Sequence, residues 1–317
     1  MYSLLGGIFL GWSLGANHAA NCFGSAVASR MVRFWTAAVL CAVFVFIGAL
    51  LEGHAGIETL SGLTTFDLEQ AVAITVGVAL TVTGMTWLNL PVSTSQGVVG
   101  AILGIGFINQ QLNLVSLERV VICWFATPFC ALATTCILYK VLAFIYNRLR
   151  ISLFKADILL RVGLIVAGSY AAYSLGANNV ANATAVFVGA GMLTVFQAAL
   201  IGGLSIAFGV LTYSRGVMET VGRKLVRLDP FSALIVVLAE AITVHVNAVV
   251  GVPISTTQAV IGSVLGIGLI KGARTINRKM LLNIFTGWFL TPTIACFVAM
   301  SIRTFGDKLA SRAYIHR

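Results

Sequence analysis

The chain has 317 residues, of which 59% are hydrophobic and only 9% charged, where soluble domains carry about a quarter. Mean hydropathy is +0.98, and apolar runs of about 20 residues, long enough to cross a bilayer as helices, recur from end to end. These values exclude a soluble enzyme built on one large core, and a secretory leader followed by a soluble domain. A transmembrane β-barrel is disfavoured because its strands alternate polar and apolar residues, and these runs do not. The fold class is an all-α polytopic membrane protein.

In chain order the predicted crossings are 1–29, 34–52, 71–90, 92–108 and 119–145, then 158–191, 193–212, 231–250, 254–270 and 280–302. The net charge of +10 sits mostly in the loops between them, so it reads as positive-inside excess and not as a nucleic-acid signal. Six cysteines lie in apolar segments with no C-x-x-C spacing and no histidine at ligand spacing. They read as small buried hydrophobes, and no metal site or cofactor is expected.

The chain is written twice. SLGANHAANCFGSAVASR at 13–30 is echoed by SLGANNVANATAVFVGAG at 174–191. PVSTSQGVVGAILGIG at 91–106 is echoed by PISTTQAVIGSVLGIG at 253–268, and WFATP at 124–128 by WFLTP at 288–292. Three echoes in one order at nearly one offset make a tandem duplication, divided into a first membrane repeat, 1–150, and a second, 151–317. Lys and Arg concentrate at 30–33, 146–161, 214–230 and 271–279, placed in the cytoplasm; 53–70 and 109–118 have none and are placed outside. About five segments per half is an odd number, so the second repeat enters the membrane inverted. Inverted repeats mark secondary transporters, with the site near the midplane. Parity puts the tail 303–317 outside although it carries Arg303, Lys308, Arg312 and Arg317. Either the tail departs from the charge rule or one segment is a re-entrant hairpin.

The duplicated motifs place polar residues inside apolar segments. In Gly15-Ala16-Asn17 and Gly176-Ala177-Asn178 a glycine loosens the helix, and the asparagine stands where an N-cap would restart it. Pro91 and Pro253 interrupt a second helix in each half. Ser93-Thr94-Ser95-Gln96 and Ser255-Thr256-Thr257-Gln258 then read as capping boxes, each glutamine reaching back. Four helix N-termini would thus converge on one small anion through backbone N–H groups, dipoles and hydroxyls. Gly100, Gly104, Gly262 and Gly266 read as close-packing positions. Of the ionisable residues in membrane segments, Glu240 and His245 are candidates for a coupling proton, while Glu52 reads as snorkelling and His54 and His316 as solvated.

With G-A-N-x-x-A-N at 15–21 and 176–182 and P-[VI]-S-T-[ST] at 91–95 and 253–257, the chain resembles the inorganic phosphate transporter family, PiT, over its whole length. The resemblance implies an oxyanion permease, typically a dimer, with substrate and sodium held around these motifs. It adds Asn21 and Asn182 to the site. The family usually has Asp after G-A-N and His after the second motif; here those positions hold His18 and Asn179, and Gln96 and Gln258. Loss of two carboxylates removes the hard, charge-balancing ligands a sodium ion would use, so sodium or proton coupling stays open. His18 is the pH-sensitive candidate. A carboxylate can accept the proton that phosphate keeps at neutral pH, whereas donors such as Asn179 and a protonated His18 suit sulfate.

The resulting expectation is a secondary active transporter of inorganic phosphate in the cytoplasmic membrane, working by alternating access as a homodimer. The alternative is a proton-coupled permease for sulfate or another oxyanion. An anion channel would use the same helix ends with a continuous wet path. A membrane enzyme would need a nucleophile–base set or metal ligands that the sequence lacks.

Overall fold

The computed structural model describes residues 2–87, 92–149, 152–224, 228–272 and 278–315. A short 3₁₀ turn, Tyr2–Leu4, leads into ten helices: α1 (Leu5–Ala28), α2 (Phe34–Ser61), α3 (Leu68–Trp87), α4 (Thr94–Asn109), α5 (Leu114–Arg148), α6 (Leu153–Gly189), α7 (Val195–Lys224), α8 (Pro230–Val249), α9 (Thr256–Lys271) and α10 (Arg278–Ile315). Local chemistry starts several of them. Asn113 caps α5 by accepting from the Ser116 N–H at 3.1 Å. Asp229 caps α8 in the same way at 3.0 Å, with Pro230 in the first turn, where a missing N–H costs nothing. Seven described helices (α2, α3, α5, α6, α7, α8 and α10) are long and apolar enough to cross a membrane. The ends of α5 and α6 bracket the expected repeat boundary.

The two halves are interlocked by reciprocal crossings. α1 packs most closely on α7, and α2 on α6. A side chain on Gly15 would collide with the Ile206 carbonyl, and one on Gly209 with the Trp12 carbonyl. Their mates 161 residues away repeat the arrangement: Gly176 meets the Val45 carbonyl and Gly48 the Tyr173 carbonyl. Glycine therefore lets the backbones touch at both crossings. This replaces the expected helix break, because α1 and α6 run without interruption through Gly15-Ala16-Asn17 and Gly176-Ala177-Asn178. Asn17 and Asn178 are not N-caps, and the four expected helix N-termini reduce to the two at α4 and α9.

The third and fourth helices of each half form a hairpin. The base of α3–α4 is tied by Gln70 and Asn109, whose amides exchange bonds of 2.9 and 3.2 Å. The base of α8–α9 is tied by the Lys271–Asp229 ion pair. The first base stands at the α2 C-terminus, where the Asn113 N–H bonds the Leu63 carbonyl at 2.8 Å. The second lies at the opposite face, yet the tips meet: the Ser95 hydroxyl donates to the Ile254 carbonyl at 2.9 Å. Two hairpins entering from opposite faces and touching at their tips each span part of the thickness. In agreement, α4 and α9 have 16 residues, about 24 Å against a hydrocarbon core of about 30 Å. The expected crossings 71–90 with 92–108 and 231–250 with 254–270 are thus re-entrant pairs, and the odd parity of each half is unchanged. The second tip turns through a Schellman motif: Val252 and Gly251 N–H groups bond the Asn247 and Ala248 carbonyls at 2.9 Å each, and Gly251 takes φ +80°, a conformation that favours glycine. Pro91, at the first tip, lies outside the described residues.

Each hairpin is clasped by a helix of the other half, α4 by α10 and α9 by α5. Gly100 abuts the Pro292 carbonyl, and Gly262 the Pro128 carbonyl. The WF-x-TP echo therefore supplies the groove wall for the glycines of the second motif. Gly104 and Gly266 continue these seams against Cys296 and Leu132, as their spacing suggests. Arg303, the first basic residue of the tail, pairs with Glu69 at 2.5 Å and Asp67 at 3.4 Å, on the face that carries loop 62–67; the side chains of Lys308, Arg312 and Arg317 lie outside the described residues.

Replacing Gly176 or Gly15 with alanine forces a methyl into a backbone carbonyl. Each variant is expected to lose about 1–3 kcal/mol, read as a lower unfolding temperature of the purified protein in detergent; an unchanged temperature would contradict the crossing geometry.

Candidate functional site

The hairpin tips bring the second motif of both halves to one place. Ser93 and Ser255 are the N-caps of α4 and α9, accepting from the Gln96 and Gln258 N–H groups at 3.4 and 3.3 Å. That is half of the expected capping box. The glutamine side chains do not reach back: each Oε1 is buried without a hydrogen-bond partner, and both residues line an apolar cavity of about 440 Å³ walled by Trp124, Pro128, Trp288 and Pro292. The N–H groups of the first turns, at Thr94, Ser95, Thr256 and Thr257, have no acceptor within their own helices. Two positive helix ends thus approach each other through a layer of hydroxyls. Ser93, Thr94, Ser95, Ser255 and Thr256 are all buried.

The first motif supplies the amides that meet these tips: α6 reaches both hairpins and α1 reaches the second. Asn178 of α6 pairs with one residue of the second tip, donating to the Ile254 carbonyl at 2.9 Å and accepting from its N–H at 3.0 Å. In this conformation it braces the tip backbone. Asn182 donates from Nδ2 to Ser95 Oγ at 2.9 Å and to Asn179 Oδ1 at 3.0 Å. This fixes the orientation of its amide and leaves Oδ1 buried and without a partner. Asn179 also donates to the Leu175 carbonyl at 3.1 Å. From α1, His18 Nδ1 lies 3.1 Å from the Thr256 hydroxyl, which also accepts from Asn21 Nδ2 at 3.5 Å. Asn17, His18, Asn21 and Thr257 are part-buried, whereas Asn178, Asn179 and Asn182 are buried.

Other candidates separate. Glu240 is 3% exposed and its Oε2 has no partner; it lies near Cys22 of α1. His245, five residues on, points about 140° away around α8, so the two do not form the pair considered from sequence. His245 Nε2 instead meets Glu52 Oε2 at 2.6 Å, so Glu52 is paired and not merely snorkelling. All six cysteines are free thiols. No group of three His, Cys, Asp or Glu residues suited to a metal ion occurs among the described residues. Sequence reasoning missed the Ile254 backbone and Glu52. An acid in an apolar segment was the available signal for the latter.

Two copies of one architecture, hairpins meeting at hydroxyl-bearing tips and amides crossing between halves, match a known group. The phosphate transporter family profile matches twice, at residues 14–158 and 152–299. The chain belongs to the phosphate transporter family. It is 32% identical over 308 residues to the sulfate permease CysP of Bacillus subtilis, covering 95% of this chain and 85% of that protein. It is 30% identical over 294 residues to a putative phosphate permease of Methanocaldococcus jannaschii, covering 93% of each. A solved structure titled as the sodium-dependent phosphate transporter superposes with a TM-score of 0.81 at 23% identity, covering 97% of this chain and 99% of that one; this likeness bears on the fold. Membership makes the chain a multi-pass membrane transporter and not an enzyme.

Asn178→Leu strands the Ile254 N–H, worth about 1–3 kcal/mol when buried unpaired, and leaves its carbonyl to the Ser95 hydroxyl alone. It is expected to lower the unfolding temperature well below that of Asn17→Leu; equal effects would contradict the bracing role.

Proposed function

We propose that the chain carries inorganic phosphate across the cytoplasmic membrane as a secondary active permease, by alternating access of the two inverted repeats. The facing N-termini of α4 and α9 and their hydroxyls suit a small oxyanion. One observation favours phosphate within that class: the Asn182 Oδ1 acceptor, buried and unpartnered beside Ser95. At neutral pH phosphate keeps at least one proton and can donate to it. Asn182 would then supply an acceptor where a carboxylate after G-A-N could otherwise have done so. Burial of Ser93, Ser95, Asn178, Asn182 and Ser255 to 2% exposure or less supports an occluding carrier over a channel with a continuous wet path.

A second reading is sulfate. It is favoured by the absence of a carboxylate from the described tip cluster, since sulfate brings only acceptors and would be repelled by one. The sulfate permease among the relatives agrees with it. Against it, sulfate would leave Asn182 Oδ1 facing lone pairs.

Proteoliposomes of the purified protein, offered labelled phosphate or sulfate, separate the two. Phosphate is expected to be preferred by roughly tenfold or more, the cost of one buried acceptor left unpaired. His18→Asp is expected to widen that preference and to strengthen sodium dependence. Faster sulfate uptake by the wild type would overturn the phosphate reading, and an unchanged preference in His18→Asp would remove His18 from the site.

A further inference from the structure

Beside the second hairpin lies a hydrogen-bonded chain that the anion site does not use. His245 sits in the last turns of α8, just before the tip that carries Ile254, Ser255 and Thr256. Its Nε2 is 2.6 Å from Glu52 Oε2 on α2, and its Nδ1 is 2.7 Å from the Tyr170 hydroxyl on α6. The rings of Tyr170 and Tyr173 stand edge-on to the imidazole at 5.4 and 5.5 Å. Three helices thus converge on one acid–imidazole pair, with Glu52 31% and His245 24% exposed at the side chain.

This cluster breaks the internal symmetry. The repeat mates of Glu52, Tyr170, Tyr173 and His245 are Tyr213, Phe9, Trp12 and Thr83. There the structure has an aromatic stack instead, Phe9 on Trp12 at 5.7 Å and Trp12 on Tyr213 at 5.4 Å, with the Trp12 indole N–H donating to Thr212. A purely structural contact would have served equally in either half. Ionisable groups at membrane depth are costly and tend to mark ion or proton routes.

We propose that Glu52 and His245, with Tyr170, form a proton-binding site that couples movement of the second hairpin to a proton. The proposal rests on the permease reading above. With His245 neutral, its Nε2–H donates to the Glu52 carboxylate and its Nδ1 accepts from the Tyr170 hydroxyl; the pair carries one negative charge. Binding one proton at Nδ1 gives an imidazolium whose N–H is accepted by the Tyr170 oxygen, and the pair becomes neutral overall. Both side chains are partly exposed. Glu52 and Tyr170 stand on α2 and α6, which are locked backbone to backbone at Gly48 and Gly176. His245 stands on the hairpin that presents half of the anion site. Displacing the hairpin therefore separates imidazole from carboxylate, so occupancy by a proton and position of the hairpin are linked. The ionisable groups facing the pair are those named, from α2, α6 and α8; Glu240 lies on another side of α8, near Cys22.

The test uses the full chain in proteoliposomes with labelled phosphate and, separately, sulfate. Exchange of anion without a pH gradient is compared with accumulation driven by an inward proton gradient at clamped membrane potential. The wild type is expected to do both. Glu52→Gln and His245→Gln should keep exchange and lose about tenfold or more of proton-driven accumulation, while Tyr213→Phe, at the mate position, keeps both. Full accumulation by either pair variant overturns the coupling site. If a variant also loses exchange, proton uptake by the lightly buffered wild type on adding phosphate or sulfate decides, between about pH 6 and 8. Such uptake is required, and its absence overturns the proposal. A wild type that exchanges neither anion refutes the permease reading itself.

Discussion

Two helix N-termini are brought face to face inside a membrane protein, and most of the structure answers to that. Each end carries roughly half a positive charge, and the residues that form it are buried. Two such ends from a parallel duplication would sit side by side at one depth of their own halves. Inversion is what points them at each other, because a hairpin entering from one face and its copy entering from the other can meet only at their tips. Ser93 and Ser255 satisfy one N–H each, Asn178 holds the Ile254 backbone, and the other first-turn N–H groups have no acceptor within their own helices.

Tips so placed need a stiff frame and a seat that holds without welding. The frame is the pair of crossings at which glycines press on carbonyls, Gly15 and Gly209 between α1 and α7, Gly48 and Gly176 between α2 and α6. The seats are exchanged: α10 holds the first hairpin and α5 the second, at Pro292 and Pro128. The second helix of each hairpin is thus seated by the other half. Under the proposed alternating access a symmetric frame would supply two related states, and the contrast between Glu52–His245 and Trp12–Tyr213 is a place where the halves differ chemically.

Much of this was legible beforehand. Composition gave the membrane class. The echoes gave the duplication, odd parity gave the inversion, and S-x-x-Q gave the caps of α4 and α9. The reading of Gly15-Ala16-Asn17 as a break failed for a physical reason. A glycine lowers helix propensity, and it also removes the side chain that would keep another backbone away. Which effect matters depends on whether a carbonyl such as that of Ile206 is opposite, and nothing near Gly15 in the chain says so. The WF-x-TP echo was visible but mute, because its role is to receive Gly100 and Gly262 from distant helices. The glutamines were assigned to the capping box by spacing, yet their side chains turn into the cavity between α5 and α10.

By itself the sequence determined the elements and their order, because helix length, caps, charge bias and repetition are written locally. The tertiary structure alone decided which polar groups meet. Asn178 and Ile254 are 76 residues apart, and Glu52 and His245 are 193 apart. Such pairs are created by how helices cross and where hairpin tips stop. Those are properties of packing between surfaces, and no residue pattern along a single segment encodes them.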